Sequence, residues 1–293
     1  MSIIDGMMAL SPGGRLIMAA LQVEREAHRR HYELEKRLAN RLRTASRDER
    51  KGLYSVVYDE LYRSLPEHPG NVQKNNPALT AQSVRSALRF VAPYLRRDSV
   101  FLEIGAGDAA LSIAVAERVD TAYALEVTAE KASGKTLPEN LQFIITDGFA
   151  IPVPDRSIDV AFSNQVMEHL HPDDAEEQLT NIYHALAPGA PYICLTPNYL
   201  SGPHDVSAFF DEVPTGFHLK EYTTTELAQL FRKVGFRNVG VMFPLKVRTV
   251  VVPAGFFRPL EFVLGKLPFR LRNAIGKRPP VRQLLGLRVI GFR

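Results

Sequence analysis

Glycines and acidic residues stand where short apolar runs of this sequence end, a pattern typical of ligand sites in α/β proteins. The apolar run 101–104 leads directly into Gly105 and Gly107. Because glycine has no Cβ, the backbone of this turn can approach a ligand closely, and the first amides of the following helix can bind it. A Gly-x-Gly turn alone also fits a plain strand-to-helix turn or a nicotinamide-binding enzyme.

Two acidic side chains at the ends of the next runs favour a nucleoside ligand. Glu126 ends the second run about twenty residues after the glycines, where a carboxylate can accept hydrogen bonds from both ribose hydroxyls. Asp147 ends the third run, where it can accept a hydrogen bond from an adenine amino group, with Gly148 and Phe149 against the ring. The fourth run ends at Asn164, beside the expected place for the rest of the ligand.

Further motifs follow one another in a fixed order between residues 84 and 243. They are an acidic-x-Gly-x-Gly turn starting at Glu103, Ile151-Pro-Val-Pro-Asp155 after the third run, Met167-Glu168-His169 after the fourth, and Ala185-Leu-Ala-Pro-Gly189 before the fifth. In these motifs the chain resembles the class I S-adenosylmethionine-dependent methyltransferases, especially their methyltransferase-11 branch. Ala109 stands where many members have a third glycine. The resemblance implies S-adenosylmethionine as methyl donor, with contacts at Glu103, Gly105, Glu126, Asp147 and Asn164.

The loops after the fourth and fifth runs contain the candidates for acid–base chemistry. Methyl transfer to a hydroxyl needs a base, which can contribute about 10²–10⁴ to the rate. His169 follows the fourth run, and the long loop after the fifth contains His204, Asp205 and His218. Each of these four catalytic candidates also fits a structural, hydrogen-bonding role. The histidines leave a metal site open as an alternative, but no ligand spacing here demands one, so no metal residues are assigned.

Tyr54, Tyr58 and Tyr62 recur every four residues and therefore share one face of a predicted helix. An aromatic stripe at this spacing is typical of a helix that faces the core. Relatives of the family often place a tyrosine-bearing N-terminal helix over the methyl donor, so a lid is the alternative interpretation.

Apolar runs alternate with helical patterns through the middle of the chain, which predicts a mostly parallel sheet with helices on both faces. The predicted strands are 99–104, 122–126, 142–146, 158–163, 191–196, 238–243 and 286–292. The fold class is therefore α/β, a doubly wound, Rossmann-like sheet of seven strands. Residues 1–80 are predicted to form an N-terminal helical extension or lid, 81–245 the donor-binding core, and 246–293 a basic, apolar segment with the last strand. Ligands of such sheets bind beyond the carboxyl ends of the strands, where the candidate residues lie.

Charge is distributed unevenly along the chain. Residues 52–245 contain 14 basic and 24 acidic residues, whereas residues 246–293 contain 11 basic residues and one acidic residue. Between 256 and 285 the basic residues alternate with bulky apolar ones, which predicts docking to an anionic membrane surface. Capping of the sheet or a contact between two copies are alternatives. A nucleic-acid acceptor is disfavoured, because no Asn-Pro-Pro-Tyr or Asp-Pro-Pro-Tyr sequence follows the fourth run.

The single cysteine, Cys194, excludes an intrachain disulfide and fits a reducing compartment. The sequence lacks a secretory pattern at its start and any apolar stretch of membrane-spanning length. A cytoplasmic protein is therefore expected, with a peripheral position at the inner membrane face as a further hypothesis. The predicted function is O-methylation of a small, saccharide or lipid-linked acceptor. An inactive S-adenosylmethionine-binding scaffold, or methylation of nucleic acid or protein, are the alternatives.

Overall fold

The computed structural model describes residues 12–68, 71–72, 75–128, 136–245 and 248–293, with side chains from residue 24 onward. In this part of the chain the strands are β1 (Val100–Ile104), β2 (Thr121–Glu126), β3 (Leu141–Ile145), β4 (Val160–Asn164), β5 (Pro191–Thr196), β6 (Arg237–Pro244), β7 (Thr249–Pro253) and β8 (Leu287–Phe292). They form one sheet in the order β3-β2-β1-β4-β5-β8-β6-β7. Strands β1 to β5 pair in parallel, and β8 lies antiparallel between β5 and β6.

The predicted mostly parallel α/β sheet is confirmed, and each of the seven predicted strands is present. The count of seven is wrong, because the sheet has an eighth strand. Strand β7 pairs antiparallel with β6 and extends the sheet at that edge. Its sequence, Thr-Val-Val-Val-Pro, is rich in β-branched residues that favour strands, but it lies inside the segment that was assigned to the basic C-terminal extension.

Helices cover both faces of the sheet. They are α1 (Pro12–Thr44), α2 (Arg47–Ser64), α3 (Pro77–Val91), α4 (Ala110–Ala116), α5 (Pro172–Ala185), α6 (Thr224–Val234), α7 (Arg258–Gly265), α8 (Phe269–Gly276) and α9 (Val281–Leu284). Buried residues of α1, α2, α5 and α6 join one apolar cluster, and those of α3 and α4 join a second. The two clusters lie on opposite faces, as a doubly wound sheet requires.

The first two helices, α1 and α2, are separated by two residues, Ala45 and Ser46. Ser46 interrupts the pattern and caps α2 with a capping box, because its side chain accepts from the Glu49 amide and the Glu49 side chain accepts from the Ser46 amide. Arg50 then ties α2 to the start of α5 through a buried bidentate pair with Asp174, at 2.6 and 2.7 Å. This buried pair therefore joins α2 to α5.

Three short helices, α7 to α9, fill the chain between β7 and β8. Glu261 of α7 is buried and accepts hydrogen bonds from the Thr224 and Thr225 amides at the start of α6. The C-terminal segment therefore packs against the core through one face. Across the described residues no helix combines the length and apolar character needed to cross a membrane.

Candidate active site

The turn after β1 is a tight corner that needs glycine at its first position. Gly105 has φ +68°, and a Cβ placed there would lie 2.3 Å from Cγ2 of Val166. Gly107 has φ +55°, but open space lies where its Cβ would stand. Ala109 adopts the left-handed conformation, φ 57°, at the position that precedes α4. Val166 therefore closes this turn at Gly105, and the turn is open to a ligand at Gly107.

Two cavities flank this corner, and both are lined by Gly105, Gly107 and Gln165. We call them the donor cavities. The first, about 260 Å³, lies toward α3, and the second, about 170 Å³, lies toward α2. The first is also lined by Thr80, Glu103, Asp108, Phe162 and Asn164, and the second by Tyr54, Tyr58, Tyr62, Glu126, Thr146, Gly148, Val166 and His169.

Glu126 is the last residue of β2, the position at which the sequence predicts an acidic side chain. One carboxylate oxygen accepts a hydrogen bond from the Gly107 amide at 2.7 Å, and the other accepts from the Val127 amide at 2.8 Å. The side chain is half-buried on the wall of the second donor cavity. The corner and the acidic residue are therefore one hydrogen-bonded unit.

Glu103 and Asn164 line the first donor cavity at the ends of β1 and β4. The carboxyl group of Glu103 is buried and accepts a hydrogen bond from the Ser112 hydroxyl of α4. Burial raises the pKa of Glu103, and the hydrogen bonds from Ser112 lower it by a smaller amount. The pKa of Glu103 is therefore raised to about 8. A positive ligand group beside this carboxyl would favour its ionised form.

The turn after β3 is built by Asp147. Its Oδ1 accepts hydrogen bonds from the Phe149 and Ala150 amides, at 3.2 and 2.8 Å. Gly148, with φ +102°, lines the second donor cavity. Phe149 lies behind it in the core, where its ring meets Tyr54 edge-on at 6.5 Å.

The tyrosine stripe of α2 lines the second donor cavity, opposite Glu126. Tyr54 is fully buried, donates a hydrogen bond to Asp174 and accepts one from the His171 amide. Tyr58 and Tyr62 are half-buried and stand over the cavity. The stripe therefore packs against the core and also lines the cavity, and the lid stays a prediction.

A third cavity, about 500 Å³, adjoins the second donor cavity and shares Tyr58, Tyr62, Gln165 and His169 with it. Six of the eight histidines of the chain line this third cavity, which we call the histidine cavity. Those histidines are His28, His31, His68, His169, His204 and His218. The structure thus brings all four predicted catalytic candidates to one cavity, because Asp205 lines it as well. Three histidines from the N-terminal segment line the same cavity.

His218 forms a carboxylate–histidine pair with Glu221. The Nδ1 atom of His218 donates to Oε1 of Glu221 at 2.7 Å, and both side chains are almost fully buried. Burial lowers the pKa of His218, but the hydrogen bond to Glu221 and the nearby carboxylate of Glu168 outweigh burial and raise it above 6.5. An imidazole held in this way is oriented and made more basic.

His169 and Glu168 lie beside His218, and of these two residues His169 lines the histidine cavity. The Nδ1 atom of His169 donates to the Phe217 carbonyl at 3.0 Å, and burial lowers the pKa of His169 to about 3. Glu168 accepts a hydrogen bond from the Thr196 hydroxyl at 2.8 Å, and burial raises its pKa to about 7. Its Oε1 atom has no hydrogen-bond partner among the described residues. His169 is therefore neutral and fixed in one orientation near neutral pH.

His204 and Asp205 are engaged in shaping the loop. The Nε2 atom of His204 donates to the Asn198 carbonyl at 3.1 Å, while its amide donates to Glu221. Asp205 accepts from the Ser207 amide at 3.0 Å and from the His218 amide at 3.2 Å. The Asp205 side chain and the His204 amide thereby hold the segment that carries His218.

Sequence reasoning missed three further residues of the histidine cavity. His31 and Glu35 lie one turn apart on α1, and His68 follows α2. A His-x-x-x-Glu spacing on one helix was the available signal, but α1 precedes the part of the sequence in which the motifs occur. Glu221 was also missed, although it lies three residues after His218.

The sheet order, the glycine corner and the acidic end of β2 together define a class I, Rossmann-like methyltransferase. A family model described as a methyltransferase domain matches residues 78–241, more than half of the chain. The chain belongs to this methyltransferase family. The predicted family is thereby confirmed.

Individual known proteins are similar to parts of the chain. A "Probable S-adenosylmethionine-dependent methyltransferase" of Mycolicibacterium smegmatis is 33% identical over 86 residues, which are 29% of this chain and 31% of that protein. A chain from the complex of the Haloferax volcanii Trm112 methyltransferase activator with a methyltransferase aligns with a TM-score of 0.52 and 15% identity, over 76% of this chain and 97% of that one. The 1,6-didemethyltoxoflavin-N1-methyltransferase of Burkholderia thailandensis aligns with a TM-score of 0.50 and 17% identity, over 85% and 89%. These two structures support the fold.

S-Adenosylmethionine is the methyl donor of this class, and the corner fits it. The open space beside Gly107 leaves the backbone accessible to a ligand. The half-buried Glu126 stands at the same place with its carboxylate at the cavity wall. A ligand with a ribose and a separate charged end can therefore extend across the corner from one donor cavity to the other.

Proposed function

We propose that this chain transfers the methyl group of S-adenosylmethionine to a hydroxyl group of a small, saccharide or lipid-linked acceptor. The observation that carries the proposal is the shared wall between the second donor cavity and the histidine cavity, formed by Tyr58, Tyr62, Gln165 and His169. A donor in one cavity and a hydroxyl in the other would meet there, and alignment of two reactants is the main source of rate in such a displacement. At about 500 Å³ the histidine cavity has the size of a small-molecule site.

The donor contacts follow from the two donor cavities. Glu126 would accept hydrogen bonds from the ribose hydroxyls, and Gly148, in the turn that Asp147 builds, would border the adenine. Glu103 and Asn164 would hold the amino-acid end in the first donor cavity. When bound, S-adenosylmethionine supplies an electrophilic methyl group on a sulfonium. The Tyr58 and Tyr62 rings would exclude water from this part of the site.

His218 is the proposed base. Glu221 orients its ring through Nδ1, and the Nε2 atom makes no hydrogen bond within the described residues. A hydroxyl bound in the histidine cavity would give its proton to Nε2 as it becomes the nucleophile. His169 would position the same hydroxyl, because its Nδ1–H is bound to the Phe217 carbonyl and its Nε2 is left as an acceptor.

Transfer of a labelled methyl group tests this proposal. Purified protein and methyl-labelled S-adenosylmethionine are incubated with a cell lysate separated into lipid, glycan, small-molecule, nucleic-acid and protein fractions. Label in the lipid, glycan or small-molecule fraction is expected, and His218→Gln should reduce it by about 10²–10⁴. The affinity for S-adenosylhomocysteine should be unchanged in this variant, since His218 does not line the donor cavities.

Other outcomes of the same assay contradict the proposal in distinct ways. Label confined to nucleic acid or protein would assign another acceptor class. Donor binding without label in any fraction would favour an inactive scaffold. Full activity of His218→Gln would exclude His218 as the base.

A second proposal concerns the C-terminal segment, which we infer docks on an anionic membrane surface at the cytoplasmic face. Phe256, Phe262 and Val263 are 73%, 69% and 58% exposed, an unusual state for large apolar side chains. Exposed basic residues alternate with them, and Lys266 lies 5.5 Å from the centre of the Phe262 ring. Apolar insertion together with positive charge is the combination that peripheral membrane segments use.

Cosedimentation with vesicles tests membrane docking. Wild-type protein should pellet with vesicles of mixed phosphatidylcholine and phosphatidylserine and remain in solution with phosphatidylcholine alone. Phe256→Ser with Phe262→Ser should abolish pelleting, whereas Phe209→Ser, which changes a 66% exposed ring outside this segment, should not. Point variants are preferable to a deletion, because Glu261 of the same segment caps α6. Equal pelleting of wild type and the double variant would contradict the proposal.

A further inference from the structure

Three side chains of the N-terminal segment converge on one wall of the histidine cavity. His31 Nε2 lies 2.7 Å from Oε1 of Glu35, and His68 Nε2 lies 3.7 Å from the same oxygen. One nitrogen or oxygen of each residue lies within 4.8 Å of those of the other two. The convergence joins separate elements, since α1 supplies two of the residues and the chain after α2 supplies the third.

These separations match the spacing of metal ligands. In a tetrahedral zinc site with bonds of about 2.0–2.1 Å, two ligand atoms lie about 3.3 Å apart. The two distances to Oε1 of Glu35 lie on either side of this value, and the ligand-type atoms of all three residues lie within 4.8 Å of one another. Two imidazoles with one carboxylate form a donor set that divalent zinc uses when it keeps one position open for another ligand.

The surroundings of Glu35 favour a cation at this place. Its side chain is only 6% exposed. A carboxylate buried to this degree is stabilised by a positive charge or by hydrogen-bond donors held against it. The bond from the Phe217 amide to Oε2, at 3.2 Å, also holds the carboxylate with Oε1 toward the two imidazoles.

We infer that His31, Glu35 and His68 bind one divalent transition-metal ion of the zinc class. All three residues line the histidine cavity, so the remaining coordination position of the ion would face that cavity. An oxygen of the acceptor would occupy this position and be anchored there. The anchoring role rests on the proposed function, whereas binding of the ion does not.

Metal binding is measured on the purified, chelator-treated protein by titration calorimetry with Zn²⁺. Wild type should bind one ion per chain at this site, and its thermal unfolding midpoint should rise with Zn²⁺. His68→Ala and Glu35→Gln should weaken zinc binding by more than about 100-fold, because even the outer partners of metal ligands contribute about 10–100-fold. His28→Ala is the matched control, since His28 lines the same cavity outside the cluster and should leave zinc affinity unchanged.

The position of the ion is then read directly from anomalous diffraction of zinc-loaded crystals. A peak between His31, Glu35 and His68 supports the inference. Absence of zinc binding in wild type, equal affinity in His68→Ala, or a peak only at the second group of ligand-type atoms, Glu168, His169 and His218, overturns it. These outcomes do not depend on the acceptor. If zinc binds and no methyl transfer is found, the ion site stands and the proposed function fails.

Discussion

The pair formed by His218 and Glu221 makes a prediction that can be measured without knowing the acceptor. Glu221→Gln keeps the size of the side chain and an oxygen for the His204 amide, which donates to Glu221 at 2.7 Å. The variant removes the negative charge that accepts from His218 Nδ1. His218 should then lose the largest contribution that raises its pKa, while the burial that lowers it remains.

The size of the effect follows from the strength of the bond. A hydrogen bond to a charged group contributes about 1.5–3 kcal/mol. Since about 1.4 kcal/mol corresponds to one pH unit, the pKa of His218 should fall by about one to two. A general base must be unprotonated to act, so methyl transfer should slow when the pH falls below the pKa of His218. In wild type, methyl transfer should decline as the pH falls through a value above 6.5, and in Glu221→Gln this decline should move to lower pH with a smaller maximum rate.

Nuclear magnetic resonance titration of the histidine ring Cε1–H signals measures this pKa. The chain has eight histidines, so the signal of His218 can be assigned by its absence in His218→Gln. Glu212→Gln, which changes an exposed carboxylate of the same loop, is the control and should leave the titration unchanged. A His218 signal that titrates at the same pH in wild type and Glu221→Gln would refute the account of the pair.

Further predictions concern the corner and the anchoring of α2. Gly105→Ala should lower both the unfolding midpoint and the affinity for S-adenosylhomocysteine, because its Cβ would stand 2.3 Å from Val166 in addition to a left-handed backbone cost of about 1–2 kcal/mol. Gly107→Ala, which has the backbone cost but no clash, should unfold at a higher temperature than Gly105→Ala, and the reverse order would contradict the geometry. Asp174→Asn should lower the free energy of unfolding in denaturant by about 3–5 kcal/mol, because it leaves the buried Arg50 without its charge partner. Glu177→Gln, which breaks the partly exposed pair with Arg47, should lower it by less than about 1 kcal/mol, and similar losses in the two variants would refute the assignment.

The core of the fold could be predicted because its signals are local. Each of β1 to β5 is a short apolar run that ends in a glycine, an acidic or a polar residue, and each lies within two residues of its predicted bounds. The residues at these ends meet at one edge because the strands are parallel. Gly105 and Glu126 were predicted from type and position, and the hydrogen bond between the Gly107 amide and Glu126 joins them in the structure.

The features that the sequence did not predict depend on contacts between distant parts of the chain. Strand β7 was missed because its five residues, although mostly β-branched, run directly into the apolar and basic segment with which they were grouped. The histidine cavity was missed because it joins α1, the chain after α2 and the loop after β5, and no sequence window contains all three. Asp205 has the residue type of a catalytic acid, yet only the structure shows that its carboxylate is occupied by the Ser207 and His218 amides.

The central claim is that Glu126 and the glycine corner bind S-adenosylmethionine, and titration calorimetry tests it directly. Wild type should bind S-adenosylmethionine and S-adenosylhomocysteine with one site per chain. Glu126→Gln should weaken binding of both by about 10- to 100-fold, since it removes charge-assisted hydrogen bonds of about 1.5–3 kcal/mol. Glu139→Gln, an exposed acidic residue before β3, should bind both as wild type does. Folded wild-type protein that binds neither compound, or a Glu126→Gln variant with wild-type affinity, would contradict the account.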